Sequence, residues 1–324
     1  MTIPVVLLTG FLGAGKTTLL NDLLNRKAFR DTAVIINEAG DVGVDHVLIE
    51  KGSDEVVLLE GGCVCCRLRG GLTTALHGLL RRRAVDGLSF KRVIIETSGL
   101  ADPSAVLHAM IADPLFNRHF IVAGVTTVVD GINLAATLAH HAEAMTQVAV
   151  ADRLLISKAD LARPGDLADV ASRLTAINPR AEQRRIDPDS RDGRLIWIDP
   201  RVDHDHAFHV MPFASATTDA HQVVTVGRQF GGTLTREAID DWLDHTTDLF
   251  GAALLRLKGI LKVEGAAAPV VLHGVQGLVY SPGLATGDRS AIGGNRMVLI
   301  ARGVDAGHLD DALARLADAA QPAA

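Results

Sequence analysis

The sequence predicts an α/β protein: a mostly parallel sheet with helices on both faces, followed by a smaller C-terminal α+β domain. Three observations carry this reading. Short, continuous apolar runs alternate with helical patterns through the first half, as strands buried on both faces do. The 324 residues exceed what one hydrophobic core usually supports, so two domains are expected. In the last third, strand-like and helical segments clump instead of alternating, which points to α+β.

In chain order, Ile3–Thr9 is an apolar run with β-branched character, Gly10–Gly15 a glycine-rich break, and Lys16–Ala28 a helical pattern. Thr32–Asn37 and Glu55–Leu59 are further apolar runs, after which Leu68, Leu72, Ala75, Leu76, Leu79 and Leu80 recur at helical spacing. Arg92–Glu96, Ile121–Val129 and Arg153–Ser157 read as buried strands separated by helices. Between Asp187 and His209 the periodicity stops, among Pro188, Pro200 and a scatter of Asp and His, interrupted only by the apolar run Leu195–Ile198. The linker is expected at 191–206, between domains of 1–190 and 207–324. Beyond it, Gln222–Val226, Leu254–Val263, Pro269–Tyr280 and Arg296–Ala301 look like strands, and Thr235–Leu249 and Ala306–Ala319 like helices.

Composition excludes several classes. With 22% charged and 48% apolar residues the chain is an ordinary globular one, far from disorder. A net charge of −6 provides no basic footprint for nucleic acid or an anionic membrane. Nine Phe, two Trp and one Tyr make a poor stacking platform for single strands. No apolar run approaches the roughly 18 residues of a spanning helix. Ile3–Thr9 lacks the basic leader of a signal peptide. A cytoplasmic protein is expected.

The segment from Gly10 to Thr17, GFLGAGKT, fits G-x-x-x-x-G-K-[ST] directly after a strand and before a helix. This is the P-loop NTPase arrangement, and each fixed part has a physical reason. Glycines let backbone N–H groups converge on a phosphate, Lys16 supplies a point charge to the β/γ oxygens, and the Thr17 hydroxyl is a ligand for Mg²⁺. The expected nucleotide-binding set is Gly10, Gly13, Ala14, Gly15, Lys16, Thr17 and Thr18, with Lys16, Thr17 and Glu96 as the catalytic group. Glu96 ends a buried strand in Glu96-Thr-Ser-Gly99, where it can reach Mg²⁺ or cap the following helix. Ser157-Lys158-Ala-Asp160 follows another strand and matches [N/S/T]-K-x-D. In that pattern the carboxylate accepts both guanine N–H groups and the Lys stem covers the base, which makes GTP the expected nucleotide.

All three cysteines lie in one window, Cys63, Cys65 and Cys66, after a double glycine at the end of a strand. An odd, tight cluster is no disulfide framework. Cys63 and Cys66 can share one tetrahedral ion and Cys65 can supply a third thiolate. With no fourth cysteine in the chain, a closed Cys₄ site within one subunit is impossible, which suits transfer better than a purely structural role. Thiol redox chemistry and simple packing are the competing readings.

Taken together, GFLGAGKTT, Asn37–Asp45 (NEAGDVGVD), GGCVCC, Glu96–Pro103 (ETSGLADP) and SKAD occur in family order. The chain resembles the CobW-type metal-chaperone GTPases, relatives of the HypB and UreG nickel-insertion GTPases. Leu255–Gly259 and His273–Gln276 extend the resemblance into the C-terminal domain. It implies GTP binding, slow hydrolysis, Glu38 and Gly99 in segments beside the nucleotide, and a divalent ion, zinc or cobalt, carried at the cysteines to a client metalloprotein. No residue to position the attacking water and no arginine finger is evident, so slow turnover is expected, raised by the client or by formation of a homodimer.

The chain departs from the family at several places. Ala39 and Asp41 replace the aromatic and second Glu of N-E-F-G-E, Ser157 replaces the usual Asn, and only His204, His206 and His209 stand where relatives carry a His-rich run. Those histidines read as a solvated linker before an auxiliary metal site. The alternative to a chaperone is a P-loop ATP-dependent kinase or transferase with a structural zinc site.

Overall fold

The computed structural model describes residues 2–24, 26, 29, 31–37, 56–59, 68–186, 195–198, 223–284 and 294–322. Contacts divide the chain into two units, Met1–Arg173 with Ala181–Ile198, and Leu174–Arg180 with Asp199–Ala324.

The first unit runs β1 (Ile3–Thr9), α1 (Lys16–Leu24), β2 (Thr32–Asn37), β3 (Val56–Leu59), α2 (Leu68–Val85), β4 (Arg92–Thr97), α3 (Pro103–Ile111) and α4 (Pro114–His119). It continues with β5 (Phe120–Asp130), α5 (Leu134–His140), α6 (Ala142–Ala149), β6 (Arg153–Ser157), α7 (Pro164–Ile177) and β7 (Glu182–Arg185). The strands form one sheet in the order β3-β2-β4-β1-β5-β6-β7, every pairing parallel. Parallel strands covered on both faces must be apolar throughout, and Val5–Leu8 at the centre are fully buried. Register aligns the strands' carboxyl ends: Leu8 lies opposite Glu96, Thr9 opposite Thr127 and Asp130 opposite Ser157.

One strand carried no apolar-run signal. β7 is the charged stretch EQRR, paired with β6 from Arg153↔Glu182 onward. The Arg153 guanidinium, 3% exposed, holds the Glu182 carboxylate at 2.6 Å. Its Nη1 donates to the Leu195 and Trp197 carbonyls, both at 2.8 Å. Leu195–Ile198, inside the stretch expected as linker, is thereby fastened to the first unit, with Ile196 fully buried in its core. Burial pushes the Glu182 carboxyl up, but the adjoining Arg153 and Arg184 charges outweigh it and hold it below its usual range.

The second unit contains β8 (Val223–Phe230), α8 (Arg236–Phe250), β9 (Leu254–Leu261), β10 (Val270–Val275), β11 (Leu278–Leu284), β12 (Asn295–Arg302) and α9 (Ala306–Asp318). Its sheet, in the order β11-β10-β9-β12-β8, is antiparallel throughout. One core joins α8 and α9 to the sheet through Trp242, Phe250, Leu257, Met297, Leu299 and Leu313. The stretch Pro269–Tyr280, which reads as one strand in sequence, is a hairpin. Gln276 and Gly277 take φ of 47° and 79°, the two positive values of a type I′ turn. Among the described residues no helix is long and apolar enough to cross a membrane.

Candidate nucleotide-binding site

The chain leaves β1 at Thr9 and turns through Gly10–Gly15 into α1. Gly13 and Gly15 take φ of 72° and 95°, values that a side chain would strain. Ala14 is buried and Thr18 exposed. The loop closes on itself: Ala14 N–H donates to Phe11 O at 3.1 Å, and the buried Lys16 ammonium donates to Gly10 O at 2.8 Å and Phe11 O at 3.4 Å. Converging N–H groups, a helix N-terminus and one ammonium make a cradle for phosphate.

Beside the cradle, Thr17 Oγ1 donates to Glu96 Oε1 at 2.8 Å across 79 residues of chain. Glu96 is 2% exposed. Of the two readings of Glu96, helix capping fails, because α3 is capped by Asp102, whose carboxylate accepts from Ser104 N–H. A hydroxyl and a carboxylate are hard oxygen donors of the kind Mg²⁺ takes, so the pair fits that ion.

The strand that delivers Glu96 is tied to β1 by Thr97 Oγ1 donating to Thr9 Oγ1 at 2.8 Å. The turn after it is pressed on the loop: a Cβ on Gly99 would lie 2.6–2.8 Å from Leu12 atoms, so only glycine fits there. Sequence reasoning missed what holds this turn from behind. Gln147 of α6, 1% exposed, donates from Nε2 to both Gly99 O and Ala101 O at 3.1 Å. A lone Gln in a helical pattern carries no signal of such a role.

At the end of β6, the Ser157 hydroxyl lies 2.7 Å from Ala14 O and 3.0 Å from Val129 O. It therefore links the SKAD turn to the phosphate loop, a short hydroxyl serving where the family has an amide. Lys158 takes a positive φ of 54° and its ammonium meets Asp130 Oδ2 at 2.7 Å. Asp130, also missed in the sequence, accepts as well from Ile132 N, Asn133 N and Asn133 Nδ2. Burial pushes its carboxyl up, and these hydrogen bonds, that from Lys158 foremost, leave it net below its usual range. Asp160 is exposed. A cavity of about 240 Å³ lies behind the loop, walled by Phe11, Leu12, Val128, Leu134, Gln147 and Val148.

Glu38, the three cysteines Cys63, Cys65 and Cys66, and His204, His206 and His209 lie outside the described residues. In the chain the cysteines fall between the end of β3 and the start of α2. Among the described residues no three His, Cys, Asp or Glu side chains cluster as a metal site.

A seven-stranded parallel sheet with a closed GxxxxGKT loop, a Thr–carboxylate pair and a tethered SKxD turn defines a P-loop nucleotide-binding protein. The particular family follows from comparison. The chain belongs to the CobW/HypB/UreG family, whose nucleotide-binding domain matches residues 4–185, and the cobalamin synthesis protein CobW C-terminal domain matches residues 223–317. It is 31% identical to the zinc chaperone YjiA of Escherichia coli (strain K12) over 85% of this chain and 87% of that one. It is 33% identical to the zinc-regulated GTPase metalloprotein activator 1 of Schizosaccharomyces pombe, over 54% of this chain and 44% of the relative. A zinc-bound triple mutant of the YjiA GTPase, with one glutamate and two cysteines replaced by alanine, superposes with a TM-score of 0.71 at 25% identity, covering 98% of this chain and 99% of that one.

Proposed function

We propose that this protein is a GTP-hydrolysing zinc chaperone that delivers the ion to a client metalloprotein, with cobalt as the alternative cargo. The observation that carries the nucleotide half is the pairing of Thr17 with Glu96 at the mouth of the phosphate cradle. In this reading the Lys16 ammonium leaves the Gly10 carbonyl for the β/γ oxygens, and the loop N–H groups from Gly13 to Thr18 hold the phosphates. Thr17 and Glu96 would hold Mg²⁺, which when bound would neutralise phosphate charge. The Lys158 stem covers the base and Asp160 accepts from guanine, while Ser157 keeps that turn in step with the loop. Glu38 and Gly99 flank the third phosphate. The relatives named zinc chaperone and zinc-regulated GTPase metalloprotein activator support the metal half, with Cys63, Cys65 and Cys66 as the carrying thiolates.

Nucleotide changes metal affinity only through its differential affinity for the two arrangements, and the effect is reciprocal. The test is a Zn²⁺ competition titration with Mg²⁺ and a non-hydrolysable GTP analogue, then with GDP, then without nucleotide. Tighter zinc binding with the GTP analogue, lost when the three cysteines are replaced by serine, is expected. Because the YjiA triple mutant is still zinc-bound, the decisive readout is the nucleotide-dependent step and not total zinc retained. Equal affinity in all three states would make the metal structural and turn the search to a phosphotransfer substrate.

A further inference from the structure

We propose that Gln147 is a positioning residue for the third phosphate: its side-chain amide sets the turn Ser98–Ala101 against the phosphate loop. The inference rests on the reading of the loop as a GTP site.

The geometry leaves little choice about the amide. Two carbonyls, Gly99 O and Ala101 O, face the same side-chain atom at 3.1 Å, so that atom must be the nitrogen, which alone carries two donors. No group among the described residues donates to Oε1, which is buried. One end of the side chain is therefore committed wholly to the turn, and the other is left unsatisfied. The backbone of the same residue is fixed as well, since Thr127 Oγ1 donates to Gln147 O at 2.7 Å, and Thr127 stands opposite Thr9, the last residue before the loop.

The turn is held from two sides. Gly99 is pressed on Leu12 of the loop, and the turn's own bond, Ala101 N–H to Ser98 O at 3.1 Å, closes it. From α6, Gln147, which also lines the 240 Å³ cavity, ties the turn by its two amide hydrogen bonds. Glu96, which meets Thr17, is only two residues before the turn. A shift of the turn displaces the groups beside the outermost phosphate and leaves the cradle of Gly13–Thr18 in place. Removing the amide must then weaken GTP more than GDP.

The test is Gln147→Met, which keeps the length and removes both donors, read by titration with a non-hydrolysable GTP analogue and with GDP and by single-turnover hydrolysis. About tenfold weaker binding of the analogue is expected, with GDP affinity within about twofold and a single-turnover rate down about tenfold. Equal weakening of both nucleotides, or no change in either, overturns the inference. Should the Met variant not fold, Thr127→Val removes only the anchor of the Gln147 backbone and must show the same split at about threefold; equal effects overturn the inference there too. If the unaltered protein binds neither nucleotide, the GTP reading itself fails, which is a separate result.

Discussion

Two buried amides do the same work in the two units and end differently. Asn295, fully buried at the start of β12, donates from Nδ2 to Gly231 O at 3.0 Å and Gly232 O at 3.1 Å, and its Oδ1 accepts from Lys262 N–H at 2.7 Å. Gln147 likewise donates to two carbonyls, but its Oε1 receives nothing from the described residues. An unsatisfied buried acceptor costs about 1–3 kcal/mol. In the second unit every bond of the amide goes to joining the ends of β8, β9 and β12, as a static fold requires. In the first unit the amide instead ties the turn after β4, which packs against the GxxxxGKT loop, and one of its acceptor sites is not met by the described residues.

The contrast breaks most visibly at the loop. Lys16→Ala removes the ammonium of the cradle and is expected to weaken GTP by about 3–4 kcal/mol, about two to three orders of magnitude in Kd by calorimetry. The thermal unfolding midpoint should fall by no more than about 4 °C, since the hydrogen bonds removed run to two loop carbonyls at 2.8 and 3.4 Å, the second of them weak. A variant that still bound GTP normally would contradict the phosphate-loop assignment. Asn295→Ala is the opposite experiment. It leaves one N–H and two carbonyls without their partner, so stability should drop by about 2–4 kcal/mol in denaturant, with GTP and GDP affinities unchanged within about twofold. Nucleotide affinity falling in step with stability would mean that the second unit is part of the nucleotide machinery.

The phosphate loop was legible in the sequence because its chemistry is local: the glycines, Lys16 and Thr17 act within eight consecutive residues, and their spacing is their geometry. The parallel core was legible for a related reason, since Val5–Leu8, Ile94 and Ile95 need apolar side chains on both faces of the sheet. What stayed hidden depends on contacts between distant segments. β7 is a charged edge strand that Arg153 and Glu182 make possible, and no apolar run announces it. Gln147 and Asp130 act through carbonyls and an ammonium that only the fold brings near them. The hairpin at Gln276-Gly277 was obscured because Gln is an uncommon residue at positive φ. Glu96 carried two readings in sequence, and Asp102 as the cap of α3 removes the capping one.

The smallest expected effect falls on Ser157, where sequence suggests weaker base binding because the family's Asn is replaced. In the fold the hydroxyl bonds a backbone carbonyl and so retains a link between the SKAD turn and the phosphate loop. Ser157→Ala deletes that link and nothing else of size. One neutral hydrogen bond is worth about 0.5–1.5 kcal/mol, so GTP and GDP should both weaken by about two- to tenfold. Discrimination between GTP and xanthosine triphosphate should not move, because the proposed reading gives base recognition to Asp160 and not to Ser157. A change in that discrimination would show that the hydroxyl takes part in base recognition directly. Unchanged affinity for both nucleotides would show that the turn is held by the Lys158–Asp130 pair alone, and that the exchange of Asn for Ser carries no cost in this chain.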